Sequence, residues 1–311
     1  YIRFEGITVR NSYQFGFRAA EGCQWLDLVN CASHGSLGPG IGIWNSSYVR
    51  VTGCEVTGAT SQKFRLFGDP AHECPHEAIS IAGVKVFEVS WCHVHHCEKE
   101  GIDVKEVSQD GSVHNNWVHD LPRQGLYCDA WFGLLSDVSF LSNFVHDCEW
   151  GFAVSVEGKE SRLEKLTVDG NIFARSRASG IYFGTWGGNG PRSRIRIRNN
   201  TVYQAGTKDH WAGPVGCLDM RATNIKDIVV VDNIFVGGFH TDLGVPFDPE
   251  SGELESKGVL IKGNVISSLK AETNISEPYG RLWFYRGAHS LLKTPQFAAP
   301  DRLDFRLTGE D

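Results

Sequence analysis

Apolar and polar residues alternate in short bursts along the whole chain, and the bursts recur. The pattern is plainest between Glu100 and Trp131. There Gly101-Ile102-Asp103-Val104-Lys105 alternates with a period of two, Ser112 to Val118 does so again, and Gly125-Leu126-Tyr127-Cys128-Asp129 restores the first pattern 24 residues on. A period of two over such short runs predicts strands with one buried face. Sustained 3.6-residue helical spacing is not obvious anywhere.

The second of these strands matches an apolar-x-apolar-x-x-(Asn/Cys)-x-apolar pattern ten times. Its sixth position reads Ile7, Cys31, Cys54, Cys92, Asn116, Asn143, Asn171, Asn200, Asn233 and Asn264, at separations of 23 to 38 residues. Spacing in the twenties with longer excursions describes a coil that repeats and carries loop insertions. Strands this short cannot bury their apolar side alone, so coils stacked in parallel share one continuous core. Asparagines in register can hydrogen-bond along the stack, and cysteine, being small, tolerates burial at the same position.

On these repeats the chain resembles a right-handed parallel β-helix, similar to the pectate-lyase-like superfamily of carbohydrate-active proteins. The resemblance implies an all-β solenoid of about ten rungs over roughly residues 1–270. Insertions at 57–77, 204–214 and 237–256 would wall a substrate cleft, and 271–311 would form an irregular cap or pack along the side. The chain starts within one strand pattern, Tyr1 to Phe4, and stops after another, Leu303 to Leu307, so truncation at both ends is expected.

Composition agrees: 35 glycines against one methionine favour many short strands and turns. A net charge of −7 argues against nucleic acid as a partner, which needs a basic stripe. The nearest candidate is Arg194, Arg196 and Arg198, which alternate with Ile195 and Ile197 as the solvated face of a strand would. No apolar run approaches the roughly 20 residues of a membrane span. The resemblance implies a secreted or periplasmic protein acting on a poly- or oligosaccharide, and a monomer is expected. Nine cysteines, three of them in the repeat column and none in a C-x-x-C spacing, read as buried thiols rather than disulfides or structural zinc.

Candidate chemistry comes from the positions of the first strand that alternate with the apolar ones. Rung by rung, one outward column runs Arg18, Gly42, Ser80, Asp103, Tyr127, Ala153, Tyr182, and the next runs Ala20, Trp44, Ala82, Lys105, Asp129, Ser155, Gly184. One step further stand Trp131, Glu157 and Trp186. The expected catalytic residues are Asp103, Asp129, Glu157 and Lys105. Strand geometry puts successive acids about 8 Å apart at Cα, which permits either the retaining or the inverting arrangement of a glycoside hydrolase. Lys105 beside Asp129 would keep it ionised as nucleophile or base, with Asp103 or Glu157 as acid. Trp44, Tyr127, Trp131, Tyr182 and Trp186 offer surfaces for sugar rings, and no cofactor is required. The plainer account is that these charges only keep a sheet soluble.

Two other functions remain open. Glu100, Asp103, Lys105 and Arg123 follow the order of residues in the calcium-assisted β-helix polysaccharide lyases, resembling the alginate and chondroitin enzymes. That likeness implies Ca²⁺ held by Glu100 and Asp103, Lys105 as base and Arg123 assisting. A non-catalytic glycan-binding β-helix would need the aromatics and not the acids. Finally, His95-His96, His119-Asp120 and His146-Asp147 repeat at one turn position in three rungs. Such a set could ligate a metal. Reuse at each rung favours packing and capping, so no metal is assigned, and His119 and His146 are expected to meet substrate only if that turn borders the cleft.

Overall fold

The computed structural model describes residues 1–61, 77–207, 215–267 and 282–309. Most of the 57–77 and 204–214 insertions, and part of 271–311, lie outside these described residues.

Among the described residues the strands form a parallel solenoid. One sheet of ten strands runs from Ile2–Glu5 to Leu260–Lys262, each strand paired in parallel with its equivalent one coil away. Two further stacks form the remaining sides. They are joined into one sheet because Trp117–Ala130 and Phe144–Val156 continue without a break from one side to the next. The core is the single apolar cluster enclosed by the coils, lined by residues such as Ile79, Ile102, Leu126, Phe152 and Ile181.

Local chemistry explains the corner at the repeat column. The residue before each column position adopts a left-handed conformation: Gly6, Asn30, Gly53, Trp91, Asn115, Ser142, Gly170, Asn199, Asp232 and Gly263 all have φ between 50° and 67°. Glycine and asparagine tolerate that region best, and they hold seven of the ten sites. The turn aims the following side chain inward. Asn116 Nδ2 donates to Asn143 Oδ1 at 2.9 Å, and the same bond links Asn143 to Asn171, Asn171 to Asn200, Asn200 to Asn233 and Asn233 to Asn264. Each Oδ1 also accepts the backbone N–H one rung back, and each Nδ2 also reaches a carbonyl of the rung before, as Asn171 does to Phe140. The buried amides are thereby satisfied without water.

The register across the side that carries the candidate site is unbroken: Ser80, Asp103, Tyr127, Ala153 and Tyr182 pair in turn, as do Ala82, Lys105, Asp129 and Ser155. Close stacking requires small residues where these strands begin. A Cβ on Gly125 would come within 2.3 Å of Val145 Cγ1 and 3.1 Å of the Gly151 carbonyl. Arg194, Arg196 and Arg198 are exposed and Ile195 and Ile197 buried, as their alternation predicts. Cys23, Cys31, Cys54, Cys92, Cys97, Cys128, Cys148 and Cys217 are free thiols, all but Cys23 buried. Beyond residue 270 the described chain still adds strands, with Leu291–Leu292 parallel to Val265–Ile266 and a hairpin of Phe297–Ala299 with Asp304–Leu307.

Candidate active site

Asp129 sits near the end of the long strand Trp117–Ala130, directly paired with Ser155 of the next coil. Ser155 Oγ lies 2.9 Å from Asp129 Oδ1 and 3.0 Å from Glu157 Oε1. One hydroxyl therefore separates two carboxylates. Tyr127 Oη lies 2.6 Å from the same Ser155 Oγ and donates to Glu157 Oε1 at 2.5 Å. The Trp131 indole N–H donates to Asp129 Oδ2. Alternation along the strand puts Tyr127, Asp129 and Trp131 on one face, and the parallel register brings Ser155 and Glu157 beside them.

Burial sets the two acids apart. Burial first, then the Glu157 charge, pushes Asp129 up to about 7, against the opposing pull of Lys105, Ser155 and Trp131. Asp129 is 2% exposed, whereas Glu157 is half-buried and Trp131 is 36% exposed. Tyr127 is raised well above its usual range by burial and by the Asp129 and Glu157 charges. Arg192, 1% exposed, lies within electrostatic reach of Tyr127, Asp129 and Glu157, and burial brings it down to about 10.

A second acid–base group stands one rung away. Lys105 Nζ is 2.9 Å from Glu77 Oε1 and 3.9 Å from Asp103 Oδ2. Burial works against the lysine charge, but Glu77, Asp103 and Asp129 outweigh it and lift Lys105 above its ordinary value. Burial likewise opposes the Glu77 charge, and Lys105 overcomes it to hold Glu77 below the usual carboxylate range. Asp103, 1% exposed, is raised well above that range by burial, with Lys105 opposing and Glu77 and Asp129 adding to the rise. Glu77 Oε2 and Asp103 Oδ1 are buried without a hydrogen-bond partner.

Coiled strands, enclosed core and buried amide column together point to one fold family. Two overlapping segments, residues 1–164 and 72–202, match the family described as the right handed beta helix region. The chain belongs to this right-handed β-helix family. No curated protein matches it. Among solved structures, a tailspike protein of E. coli bacteriophage HK620 is similar at 11% identity and a TM-score of 0.48, over 80% of this chain and 41% of the tailspike. The catalytic unit of an α-1,3-glucanase from Streptomyces thermodiastaticus is similar at 15% identity and a TM-score of 0.46, over 85% of this chain and 52% of that one. A surface adhesin of Streptococcus pneumoniae follows at 12% identity and a TM-score of 0.35, over 85% and 78%. The β-helix thus spans about half or less of the length of the first two structures.

The β-helix brings together Asp129, Glu157, Tyr127 and Trp131 of the residues expected from the sequence, and it revises several roles. The columns taken as solvent-facing are covered: Asp103, Asp129, Tyr127 and Tyr182 are each 5% exposed or less. Tyr127, Trp150, Ala153, Ala178, Tyr182 and Val215 form a second apolar cluster outside the coil, with Trp186 packed on it. Tyr182 is therefore no sugar platform, because Trp150 and Trp186 pack against its ring and Arg221 lies 5.7 Å from its centre. Trp44 stands three rungs from Asp129, edge-on to Phe15, its indole donating to Ser80 Oγ. Lys105 pulls Asp129 toward the charged form but does not overcome burial and the Glu157 charge, and its ammonium pairs with Glu77. Arg123 pairs with Glu100 at 3.1 Å where the strand breaks register. His119 and His146 lie before that irregularity, between Leu121 and Gln124, on the neighbouring side of the coil and away from the Asp129 group.

Glu77, Ser155 and Arg192 carried no role in the sequence reading. Ser155 was legible, standing beside Asp129 in its column. Glu77 had a fainter signal: Glu77, Glu100 and Gln124 each precede the small residue that opens a first strand, and the N–H of Ala78 and of Gly101 bonds the carbonyl one rung on. Nothing in the alternation marked Arg192 as buried.

Proposed function

We propose that this β-helix hydrolyses glycosidic bonds of a poly- or oligosaccharide, with Asp129 as general acid and Glu157 as nucleophile or base. The observation that carries it is the Ser155 hydroxyl bound to both carboxylates. Two bonds laid end to end leave the nearest acid oxygens under about 6 Å apart, on the side of the retaining arrangement rather than the longer inverting one. The acid must hold its proton near neutrality, and the rise of Asp129 to about 7 supports that role. Tyr127 and Ser155 fix the orientation of Glu157, while Trp131 and the exposed Phe132 flank the approach and offer a sugar-stacking surface. Asp129 would protonate the glycosidic oxygen as Glu157 attacks the anomeric carbon. Water then hydrolyses the glycosyl ester, and its proton returns to Asp129. A secreted or periplasmic setting belongs to the same proposal. No helix among the described residues is long and apolar enough to cross a membrane.

A second reading, β-elimination on a uronate, draws on one observation. The partnerless buried oxygens of Glu77 and Asp103 belong to the carboxylates beside Lys105, and such hard oxygens are the donors Ca²⁺ takes. Under that reading Lys105 is the base. The hydrolase is favoured because Glu77 and Asp103 hold Lys105 protonated, the opposite of what a base needs.

The test is a polysaccharide panel with product masses and the anomer first released. Hydrolysis adds one water, and Asp129→Asn and Glu157→Gln should each slow it at least about 100-fold. Cleavage at the parent rate in both variants sinks the proposal, as do unsaturated products absorbing in the ultraviolet or saturable glycan binding without turnover.

A further inference from the structure

A stack of histidines on another side of the coil is independent of the Asp129 group and suited to a different ligand. His93 and His95 are two apart on the strand His93–His95 and so share a face. His95 pairs in register with His119 on the next coil. One ligand nitrogen from each of the three lies within 4.8 Å of the others. We propose that His93, His95 and His119 bind a divalent transition-metal cation of the Zn²⁺ class, with the Asp120 and Glu55 carboxylates orienting the rings.

Tautomers on the page make the case. His119 Nδ1 is 2.7 Å from Asp120 Oδ2, a contact that places the proton on Nδ1 and leaves the lone pair on Nε2. That lone pair faces His93 Nε2 at 2.8 Å. An imidazole whose far nitrogen donates to a carboxylate is the arrangement found behind metal-bound histidines. His95 has its own carboxylate, with Nε2 3.2 Å from Glu55 Oε1, so its ligand atom is Nδ1, and a cation would displace the His96 Nδ1 that lies 2.7 Å from it.

His146 provides an internal contrast. Its ring stacks on His119 at 4.8 Å and 3°, and its Nδ1 meets Asp147 at 2.7 Å, so it repeats the His119 geometry. Its Nε2, however, accepts the Trp117 indole N–H at 2.9 Å. That lone pair is spent, whereas the one on His119 has only another imidazole to meet.

Nitrogens at 2.0–2.1 Å around a tetrahedral Zn²⁺ stand about 3.3 Å apart, so His93 and His119 need separate by only a few tenths of an ångström. Both His93 and His95 are half-buried, which leaves the cation an edge open to solvent. Three neutral imidazoles and an open position suit Zn²⁺, Co²⁺, Ni²⁺ or Cu²⁺ rather than Ca²⁺. A competing set, His96, His119 and Asp120, would take Asp120 away from the His119 ring it orients.

The experiment is a Co²⁺ titration of the whole chain followed by tetrahedral visible absorption, with Zn²⁺ displacing Co²⁺. One equivalent is expected. Asp120→Asn should weaken binding about 10–100-fold. His93→Gln and His119→Gln should weaken it more, and His146→Gln should leave it within about twofold of the parent, since its lone pair is already used. If a variant does not fold, imidazole ¹⁵N shifts of the unaltered protein decide instead: Zn²⁺ moves His93, His95 and His119 and spares His146. Absence of stoichiometric uptake, or uptake lost in His96→Gln but kept in His93→Gln, overturns the proposal.

Discussion

The Lys105 ammonium lies 2.9 Å from Glu77 Oε1, joining residues 28 apart in sequence within a site largely closed to water. Removing one partner strands the other, so Glu77→Gln should cost about 3–5 kcal/mol. Glu77→Gln with Lys105→Met should cost less than the two single changes added together, as a double-mutant cycle in denaturant would show. The pH dependence follows from the directions. Glu77 is held low, so its contribution is present above its unfolded value and lost as pH falls through the folded one. Lys105 is held high, so its contribution is lost only as pH rises beyond about 10.

Asp129 behaves oppositely. Its folded value of about 7 exceeds its unfolded one near 4, so between these the native state keeps a proton that the unfolded chain releases. Stability must fall as pH rises across that window, by about 4 kcal/mol in all. Asp129→Asn should flatten this slope, measured by unfolding at a series of pH values, while lowering kcat about 10²–10⁴-fold.

Trp131→Phe keeps a ring at the approach but removes the indole N–H that Asp129 accepts. That bond favours the charged form, so its loss should raise the alkaline limb of the kcat/KM profile, near 7 in the parent, by about one pH unit. An unmoved limb would show that the limb does not report Asp129.

In the amide column, Asn171→Ala removes the acceptor of the Asn143 N–H and Nδ2, and the donor to the Phe140 carbonyl. Several buried groups lose partners at once, so a cost of at least about 3 kcal/mol is expected in chemical denaturation. Ser33→Ala serves as a control: its hydroxyl is buried without a partner, and its loss should leave stability nearly unchanged.

How much could be read in advance differs between coil and site. The coil was legible because its information is local. Alternation announces each strand, and the spacing of Asn116, Asn143 and Asn171 states the length of a turn. Register then follows, since a one-residue slip would put every apolar side chain on the wrong face. The pairings of Asp103 with Tyr127 and of Asp129 with Ser155 are consequences of that periodicity.

What the chain alone did not settle is the surroundings of those columns. Alternation distinguishes inside from outside the coil, but it cannot say whether an outward residue meets water. Trp150 and Trp186 pack with Tyr127 and Tyr182 into a second apolar cluster, and Glu77, read as part of an insertion, claims Lys105. Periodicity thus decided where each carboxylate stands, because strand pairing is set residue by residue. Only the tertiary structure decided its charge, because desolvation and ion pairing depend on groups brought close from distant sequence. That is why Asp129, expected ionised beside Lys105, stands at about 7 beside Glu157.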